Sequence, residues 1–193
     1  RCLFRSMRRL ARAGVTVPET IIAREESYSA NKEYILEHIS FPLVYKTDGS
    51  RGTAVFKINS KEELEQKLKM KKPHELFLLQ KLIPNTFDTR TLVAYGTILG
   101  SIKRSAQNGN FLNNVAQGAL VESYELTDGE KAIALKATAA TKLDFGGVDI
   151  IHTNQGPKIL EVNKSPQIKG FERIHGENIV FKTIAHIIEK QSH

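Results

Sequence analysis

The chain has 193 residues, of which 40% are hydrophobic and 25% charged, and this balance is typical of one globular domain or two small lobes. No apolar run is long enough to cross a membrane, the opening residues lack the apolar core of a signal peptide, and the single cysteine excludes an intrachain disulfide. These features favour a cytoplasmic location. The net charge of +7 suits a nucleotide, an acidic polypeptide or a nucleic acid and does not decide among them.

The first 81 residues predict a basic amphipathic helix followed by a small α+β lobe. The predicted strands are residues 20–23, 42–47, 54–58 and 75–81. The predicted helices are residues 3–13, 29–38 and 60–70, the last of which opens with the capping box Ser60-Lys61-Glu62-Glu63. We therefore assign residues 1–14 to an N-terminal helix that packs on a larger lobe, and residues 15–81 to the small lobe.

Residues 82–193 predict that larger lobe. Two strands, residues 90–95 and 97–105, are expected to pair about Gly96. Thr127-Asp128-Gly129-Glu130 is a second capping box, and it opens an alanine-rich helix that runs to about Leu143. An amphipathic helix follows near the C-terminus, with three isoleucines expected to face inward: Ile184, Ile187 and Ile188.

Two apolar runs in the larger lobe each carry an acid, Asp149 in the first and Glu161 in the second. Asn154-Gln155-Gly156-Pro157 between them is a turn signal, and antiparallel pairing about it brings Asp149 near Glu161. Asn163 shares a strand face with Glu161. Two carboxylates and a carboxamide oxygen are hard ligands that suit Mg²⁺. A solvated acidic strand face is the alternative, but the apolar residues on both sides of each acid favour buried strands.

The loop of residues 46–53 connects two predicted strands of the small lobe. Gly49 and Gly52 permit backbone amides to approach phosphate oxygens closely, and Lys46 and Arg51 carry charges that would neutralise phosphate. The loop is not a Walker A motif, because no Gly-Lys-Ser/Thr leads into a helix. By itself it favours the simpler interpretation, a tight hairpin with solvated charges.

Three further segments allow both a structural and a functional interpretation. The apolar run of residues 76–83 indicates a core strand, although a slot between two lobes would also seat a flat base such as adenine. Asp88 and Arg90 share a strand face, so they form either a surface ion pair of little energetic value or a place where Arg90 positions an anion. Arg104 at the end of the next strand would stabilise a transferring phosphoryl group, and a solvated basic edge strand explains it equally well.

The order of these features resembles the ATP-grasp fold, and within it the RimK-like carboxylate–amine ligases. The resemblance covers nearly the whole chain and rests on a lysine strand with a glycine loop, a hydrophobic hinge, Asp88-Thr89-Arg90, Arg104 before Asn108-Gly109-Asn110-Phe111, Gly147-Val148-Asp149-Ile150, and Leu160-Glu161-Val162-Asn163 with Ser165-Pro166. It implies an α+β fold in which two lobes grip a nucleotide between them. It also implies ATP and Mg²⁺ as cofactors, with Mn²⁺ as an alternative metal.

By position, the resemblance implies a role for each matching residue. In the small lobe, Lys46 would contact nucleotide phosphates, and the phosphate-covering loop would contain Gly49, Ser50 and Gly52. The adenine pocket would be edged by Gln80, Lys81 and Ile83, the last two mainly through their backbone.

In the larger lobe, Asp88 would lie near the ribose or the acceptor and Arg104 would support phosphoryl transfer. Asn114 would lie close to the nucleotide and the metal. The residues that would bind Mg²⁺ are Asp149, Glu161 and Asn163.

Four positions depart from the family pattern. Leu3 stands where the family has a lysine and Leu112 where it has an arginine. Gln117-Gly118-Ala119 replaces Arg-Gly-Gly, and Asn163-Lys164-Ser165-Pro166-Gln167 replaces Asn-Ala-Ser-Pro-Gly. These changes spare the metal ligands and fall on the acceptor side. The family's N-terminal lobe is also lacking, so we expect either a fragment or a lobe supplied elsewhere.

The resemblance implies an ADP-forming ligase that makes an amide bond through an acyl phosphate. The expected substrates are an acidic small molecule or peptide carboxylate and an amino acid or amine; a homo-oligomer is compatible and a membrane is not expected. A nucleotide-binding module without ligase activity is the first alternative, because of Leu3, Leu112 and the lacking lobe. A basic nucleic-acid-binding domain is the second, and the sequence contains no recognised motif for it.

Overall fold

Alternating apolar residues organise the chain into two antiparallel sheets, one in each of two compact units. The computed structural model describes residues 2–47, 55–71, 74–105, 120–176 and 178–191. These residues form seven helices and nine strands, an α+β arrangement that confirms the predicted class. Unit 1 comprises residues 1–4 and 18–84, and unit 2 comprises residues 5–17 and 85–193. Helix α1 (Cys2–Arg12) opens the chain.

Unit 1 contains a four-stranded sheet in the order β1-β4-β2-β3, and all neighbours are antiparallel. Its strands are β1 (Thr20–Ala23), β2 (Leu43–Thr47), β3 (Val55–Ile58) and β4 (Phe77–Lys81). Its helices are α2 (Glu25–Ala30), α3 (Lys32–His38) and α4 (Lys61–Lys69). The prediction of a single helix over residues 29–38 was wrong. The backbone of Asn31 is not helical (φ −128°, ψ 23°), and it separates α2 from α3.

One face of this sheet makes the core of unit 1. Leu43 and Tyr45 of β2 and Phe77 and Leu79 of β4 are buried together with apolar residues of α2, α3 and α4. Because side chains alternate along a strand, Lys46 and Gln80 lie on the opposite face of the same sheet. The helices therefore cover the apolar face of the sheet, and the polar side chains Lys46 and Gln80 lie on the face that these helices do not cover.

Unit 2 contains a five-stranded antiparallel sheet in the order β7-β6-β5-β8-β9. Its strands are β5 (Phe87–Ala94), β6 (Thr97–Ser105), β7 (Leu120–Ser123), β8 (Phe145–Thr153) and β9 (Gly156–Asn163). Its later helices are α5 (Asp128–Thr141), α6 (Lys169–His175) and α7 (Asn178–Gln191). Leu92 and Ile102 of the sheet form a buried cluster with Phe171 of α6 and Ile179 of α7.

Helix α7 shows a different face to the core from the one the sequence predicts. Among the α7 side chains that the structure describes, Ile179 and Thr183 are buried, one helical turn apart. Ile184 and Ile188 lie on the opposite side and are 51% and 60% exposed, so the inward orientation predicted for them was wrong. Apolar spacing on one helix does not determine which side meets the sheet. No helix in the described part of the chain is both long enough and apolar enough to span a membrane.

The capping box predicted at the start of α5 is confirmed, and it also connects the helix to the sheet. The Thr127 hydroxyl accepts from the Glu130 backbone N–H at 3.3 Å, and Glu130 accepts from the Thr127 N–H at 2.8 Å. Glu130 further accepts from the Tyr124 hydroxyl at 3.1 Å and lies 2.9 Å from Nδ1 of His152 on β8. Burial lowers the pKa of His152 more than the Glu130 charge raises it. The folded chain therefore favours neutral His152.

We expect this group to make stability depend on pH in a defined direction. The pKa of His152 is lower in the folded chain than in the unfolded chain. As the pH falls below about 6.5, the unfolded chain therefore binds more protons at this residue than the folded chain does. The free energy of unfolding should therefore fall between pH 7.5 and 5, and the His152→Gln variant should lose this part of the slope. Urea unfolding of both proteins at several pH values measures it. A difference between them that stays constant from pH 7.5 to 5 would contradict the assignment.

Candidate functional site

Strands β8 and β9 form the antiparallel hairpin that the sequence predicts, and they bring Asp149 near Glu161. Asp149 stands opposite Glu161, and Gly147 stands opposite Asn163. The pairing shifts by one residue beyond Asp149, where Ile150 pairs with Ile159. The strands are joined through residues 154–155, and the Thr153 hydroxyl donates to the Gly156 carbonyl at 2.7 Å. The two acids and the amide therefore lie in the half of the hairpin away from the turn, which we call the hairpin end.

Gly147 permits a close contact beside these residues. A Cβ atom at this position would lie 2.6 Å from Cβ of Pro166, closer than real Cβ contacts allow. The buried Pro166, three residues after β9 ends at Asn163, therefore packs directly on the β8 backbone. The same added Cβ would lie 3.7 Å from Cδ of Arg90. Glycine at this position is thus needed for the path of the chain that leaves the hairpin.

Four charged side chains on β5, β6 and β8 form what we call the arginine–aspartate network: Asp88, Arg90, Arg104 and Asp149. Arg90 binds Asp149 through two hydrogen bonds, Nε to Oδ1 and Nη2 to Oδ2, both 2.7 Å long. Arg104 donates from Nε to Asp88 at 2.6 Å, and its Nη2 lies 3.2 Å from Oδ2 of Asp149. All four side chains are at most 13% exposed. They meet because Asp88 pairs with Arg104 and Arg90 with Asp149 across the strands.

The network corrects two interpretations of the sequence. Asp88 and Arg90 are not a surface ion pair, because each is bound to a residue of a neighbouring strand instead. Arg104 is not on a solvated edge strand either, since β6 lies between β7 and β5 and Arg104 is 5% exposed. Residues two apart on one strand share a face, but directly opposed residues on adjacent strands are closer and form the stronger pairs.

The two aspartates of the network ionise very differently. Burial alone would raise the pKa of Asp149, but Arg104 and Arg90 together hold the pKa of that carboxyl at about 2. Burial raises the pKa of Asp88 to about 6; Arg104 lowers it, while the negative charge of Asp149 raises it further. Burial lowers the pKa of Arg104, yet both aspartates outweigh this and keep it charged. Asp149 is thus a carboxylate at neutral pH.

In unit 1, Gln80 determines where the Lys46 ammonium lies. Lys46 Nζ donates to Gln80 Oε1 at 2.8 Å, and Gln80 Nε2 donates to the Thr20 hydroxyl at 2.9 Å. Gln80 is 2% exposed, so this amide has a fixed environment. Thr20 was not singled out from the sequence, because its register with Gln80 depends on β1 pairing with β4. The relay orients the amide and thereby the lysine.

The remaining predicted residues fall into two groups. Lys81 is exposed, its backbone N–H donates to the Glu19 carbonyl at 2.9 Å, and its ammonium forms a surface ion pair with Glu19. Ile83 is partly buried and follows the end of β4. Four residues lie outside the described part of the chain: Gly49, Ser50, Gly52 and Asn114.

The donor set of the hairpin fits Mg²⁺. Within the described ranges, no group of three or more His, Cys, Asp and Glu side chains is arranged to hold a metal ion. The predicted set is of another kind, with the carboxylates of Asp149 and Glu161 and the carboxamide of Asn163 at one hairpin end. Mg²⁺ binds through one or two protein carboxylates and oxygen from other sources. The low pKa of Asp149 means that its carboxyl group is ionised at neutral pH, the form that a cation requires.

Comparison with known proteins identifies the architecture. The model of the RimK-like ATP-grasp domain family matches residues 2–187. The chain belongs to this family. Among its relatives is a protein of Pasteurella multocida (strain Pm70) named "Probable alpha-L-glutamate ligase", which is 30% identical over 191 residues, or 97% of this chain and 60% of that protein. This RimK-like domain thus spans about three fifths of the length of that relative.

Solved structures share the fold of the RimK-like domain. A D-alanine–D-alanine ligase from Bacillus anthracis superposes with a TM-score of 0.70 at 18% identity, over 96% of this chain and 67% of that one. The ATP-grasp ligase PsnB, complexed with a phosphomimetic variant of its minimal precursor, Mg and ADP, has a TM-score of 0.69 at 21% identity and covers 94% of this chain and 56% of its own. The predicted ATP-grasp fold is confirmed.

Gly147→Ala should destabilise the RimK-like domain. The added methyl group overlaps Pro166, whose ring cannot move without displacing the chain after β9, and such overpacking typically costs about 1–3 kcal/mol. Gly129→Ala is the matched control, because nothing lies within 4 Å of its added Cβ and alanine favours a helix. Urea unfolding of both variants measures the effect. Equal stability of the two variants would contradict the close contact.

Asp88→Asn should change how stability responds to pH. The pKa of Asp88 is raised to about 6 in the folded chain, so its contribution is present below its unfolded pKa and is lost as the pH rises through 6. Relative to Asp88→Asn, the wild-type free energy of unfolding should fall by about 2 kcal/mol from pH 4 to 7. Asp128→Asn, at a fully exposed carboxylate, is the control for the removal of one negative charge. A wild-type advantage over Asp88→Asn that grows with pH in urea unfolding would contradict this.

Proposed function

We propose that this domain is the nucleotide- and metal-binding part of an ATP-dependent ligase that joins a carboxylate to an amine and releases ADP and phosphate. Family membership supports the reaction class. The observation that carries the proposal is the hairpin end, where Asp149 is directly opposed to Glu161 and Asn163 lies two residues further along β9. A buried sheet with two carboxylates and an amide at one end suits a hard divalent cation that accompanies nucleotide phosphates.

Asp149, Glu161 and Asn163 would hold Mg²⁺, with Mn²⁺ as an alternative, and the metal would neutralise phosphate charge. Asp149 remains ionised because Arg104 and Arg90 hold its pKa at about 2. Glu161 is partly buried on β9, directly opposite Asp149. The register of β8 and β9 brings these two ligands together without rearrangement of the backbone.

Arg104 would stabilise the negative charge that develops on the transferring phosphoryl group. Its guanidinium is buried and remains charged, because Asp149 and Asp88 both face it. A fixed charge in a water-poor environment requires no reorganisation during the reaction. Asp88 would act near the ribose or the acceptor, and Arg90 would position an anionic group.

In unit 1, Lys46 would contact the nucleotide phosphates. Gln80 holds its ammonium at 2.8 Å and is itself held by Thr20, so the charge is oriented before any ligand arrives. We propose that Gln80, Lys81 and Ile83 edge the adenine site. The Lys81 N–H already donates to the Glu19 carbonyl at 2.9 Å, so we propose the Lys81 carbonyl as its backbone contact with the base. We propose that a loop covers the nucleotide phosphates and contains Gly49, Ser50 and Gly52. Asn114 would contact the nucleotide and the metal.

The substrates follow from chemistry and from the names of relatives. A substrate carboxylate would attack the γ-phosphoryl group of ATP, and an amine would then displace phosphate from the resulting acyl phosphate to leave an amide. One relative is named as a glutamate ligase, and two structural neighbours are a D-alanine ligase and a ligase bound to a precursor. We propose an amino acid such as glutamate as the amine and an acidic small molecule or peptide as the acceptor, in keeping with the net charge of +7.

A nucleotide-binding module without ligase activity is the second candidate. Leu112 and Gln117-Gly118-Ala119 depart from the family pattern on the acceptor side. Such a module would bind Mg²⁺-ATP and release no ADP in response to any acid and amine.

Calorimetric titration of Mg²⁺-ATP into the chain, beside Glu161→Ala, tests the proposal. We expect the variant to bind at least about tenfold more weakly, which corresponds to about 1.4 kcal/mol, because one of two carboxylate ligands is lost. Glu189→Ala, an exposed position on α7, is the control for removal of one negative charge and should bind like wild type.

ADP release with glutamate and an acidic acceptor then separates the two candidates. Release that depends on both substrates supports the ligase, and binding without such release supports the module. Undiminished binding and turnover in Glu161→Ala would refute the metal assignment.

A further inference from the structure

Both carboxylate oxygens of Asp149 are already bound to arginines. Arg90 donates one hydrogen bond to each oxygen at 2.7 Å, and Nη2 of Arg104 lies 3.2 Å from Oδ2. An ionised carboxylate accepts about four hydrogen bonds at its lone pairs. Three of those directions are therefore used by guanidinium groups. The residue proposed as a metal ligand has little free capacity in this arrangement.

A divalent cation and the Arg90 guanidinium cannot both keep their best geometry on Asp149. A Mg²⁺–oxygen bond is about 2.0–2.1 Å long, so a cation on either oxygen would lie within a few ångströms of the positive guanidinium. The two side chains are only 13% and 9% exposed, and repulsion between like charges is weakly screened in such surroundings. Binding of one positive partner therefore opposes binding of the other.

Arg90 is the arginine that can give way. Arg104 is more buried, with 6% side-chain exposure, and its Nε keeps a separate bond of 2.6 Å to Asp88. The Arg90 side chain is the more exposed of the two, at 13%, so water can reach its guanidinium once it leaves Asp149. Both hydrogen bonds that Arg90 donates within the network go to Asp149. A cation bound to Asp149 would therefore replace the whole Arg90–Asp149 ion pair.

We propose that Arg90 and a divalent cation are alternative partners of Asp149, so that Arg90 sets the cation affinity and cation binding releases its guanidinium. The inference rests on the metal site of the proposed function. Arg90 is then a positioning residue that acts through Asp149. Its released guanidinium presents paired donors that suit a phosphate or carboxylate, so cation and anion binding become coupled.

Titration with Mn²⁺, followed by the electron paramagnetic resonance of the free ion, measures the cation affinity. Arg90→Met should bind Mn²⁺ at least about tenfold more tightly than wild type, because the competing bidentate pair is gone. Arg90→Lys keeps the charge but cannot form the paired hydrogen bonds, and it should fall between the two. Arg173→Met, at an exposed arginine of α6, controls for the loss of one positive charge and should bind like wild type. Asp149→Asn should lose the binding.

Release of Arg90 is visible directly in the ¹⁵N resonance of its Nε–H group. We expect this resonance, identified by its loss in Arg90→Lys, to shift and to exchange faster with water when Mg²⁺ saturates the chain. The Nε–H of Arg104 is bonded to Asp88 and should remain in place as an internal reference. A merely structural role of Arg90 would leave its resonance unchanged by Mg²⁺.

The outcomes distinguish this inference from the proposed function. Mn²⁺ affinities of Arg90→Met and Arg90→Lys equal to or weaker than wild type, with binding lost in Asp149→Asn, overturn the competition and leave the metal site intact. An unchanged Arg90 resonance at saturating Mg²⁺ has the same meaning. Arg90→Lys equal to wild type beside a tighter Arg90→Met reduces the effect to simple charge repulsion and also overturns it. Absence of binding in every folded variant overturns both the inference and the metal assignment.

Discussion

Two arginines and two aspartates buried on three adjacent strands constrain the whole of unit 2. Asp88 meets Arg104, and Arg90 meets Asp149, only if β5 lies between β6 and β8 in the observed register. Removal of one partner from a buried ion pair typically costs about 3–5 kcal/mol, because the remaining charge has no compensation. A slip of one residue would turn these side chains to the other face of the sheet. The network therefore acts as a strict test of the correct strand pairing.

The same network joins the structural core to the candidate metal site through Asp149. That residue belongs both to the arginine–aspartate network and to the hairpin end that carries Glu161 and Asn163. Its ionised state is a consequence of the arginines, since burial alone would favour the neutral acid. The arginines that keep this carboxyl ionised are thus also the groups with which the proposed metal would compete.

Local signals predicted the elements whose partners are near in sequence. The capping box of α5 and the turn between β8 and β9 need only a few consecutive residues, and both are confirmed. Counting residue by residue from the turn would pair Asp149 with Leu160, and the one-residue shift beyond Asp149 places it opposite Glu161 instead. The predicted orientation of α7 was wrong. Ile184 and Ile188 have helical spacing, but the face that packs against the rest of unit 2 contains Ile179 and Thr183. The sequence also did not predict the break at Asn31, because helix-forming residues continue on both sides of it.

The sequence by itself determined the family, the α+β class and the hairpin that gathers two carboxylates and an amide, because these depend on local order and short-range pairing. Tertiary structure alone decided the partners of the charged residues. Arg90 and Asp149 are 59 positions apart, and Lys46 and Gln80 are 34 apart, so their contacts depend on which strands become neighbours. It also decided their ionisation, because burial and nearby charge separate the pKa values of Asp88 and Asp149, which are equal in water.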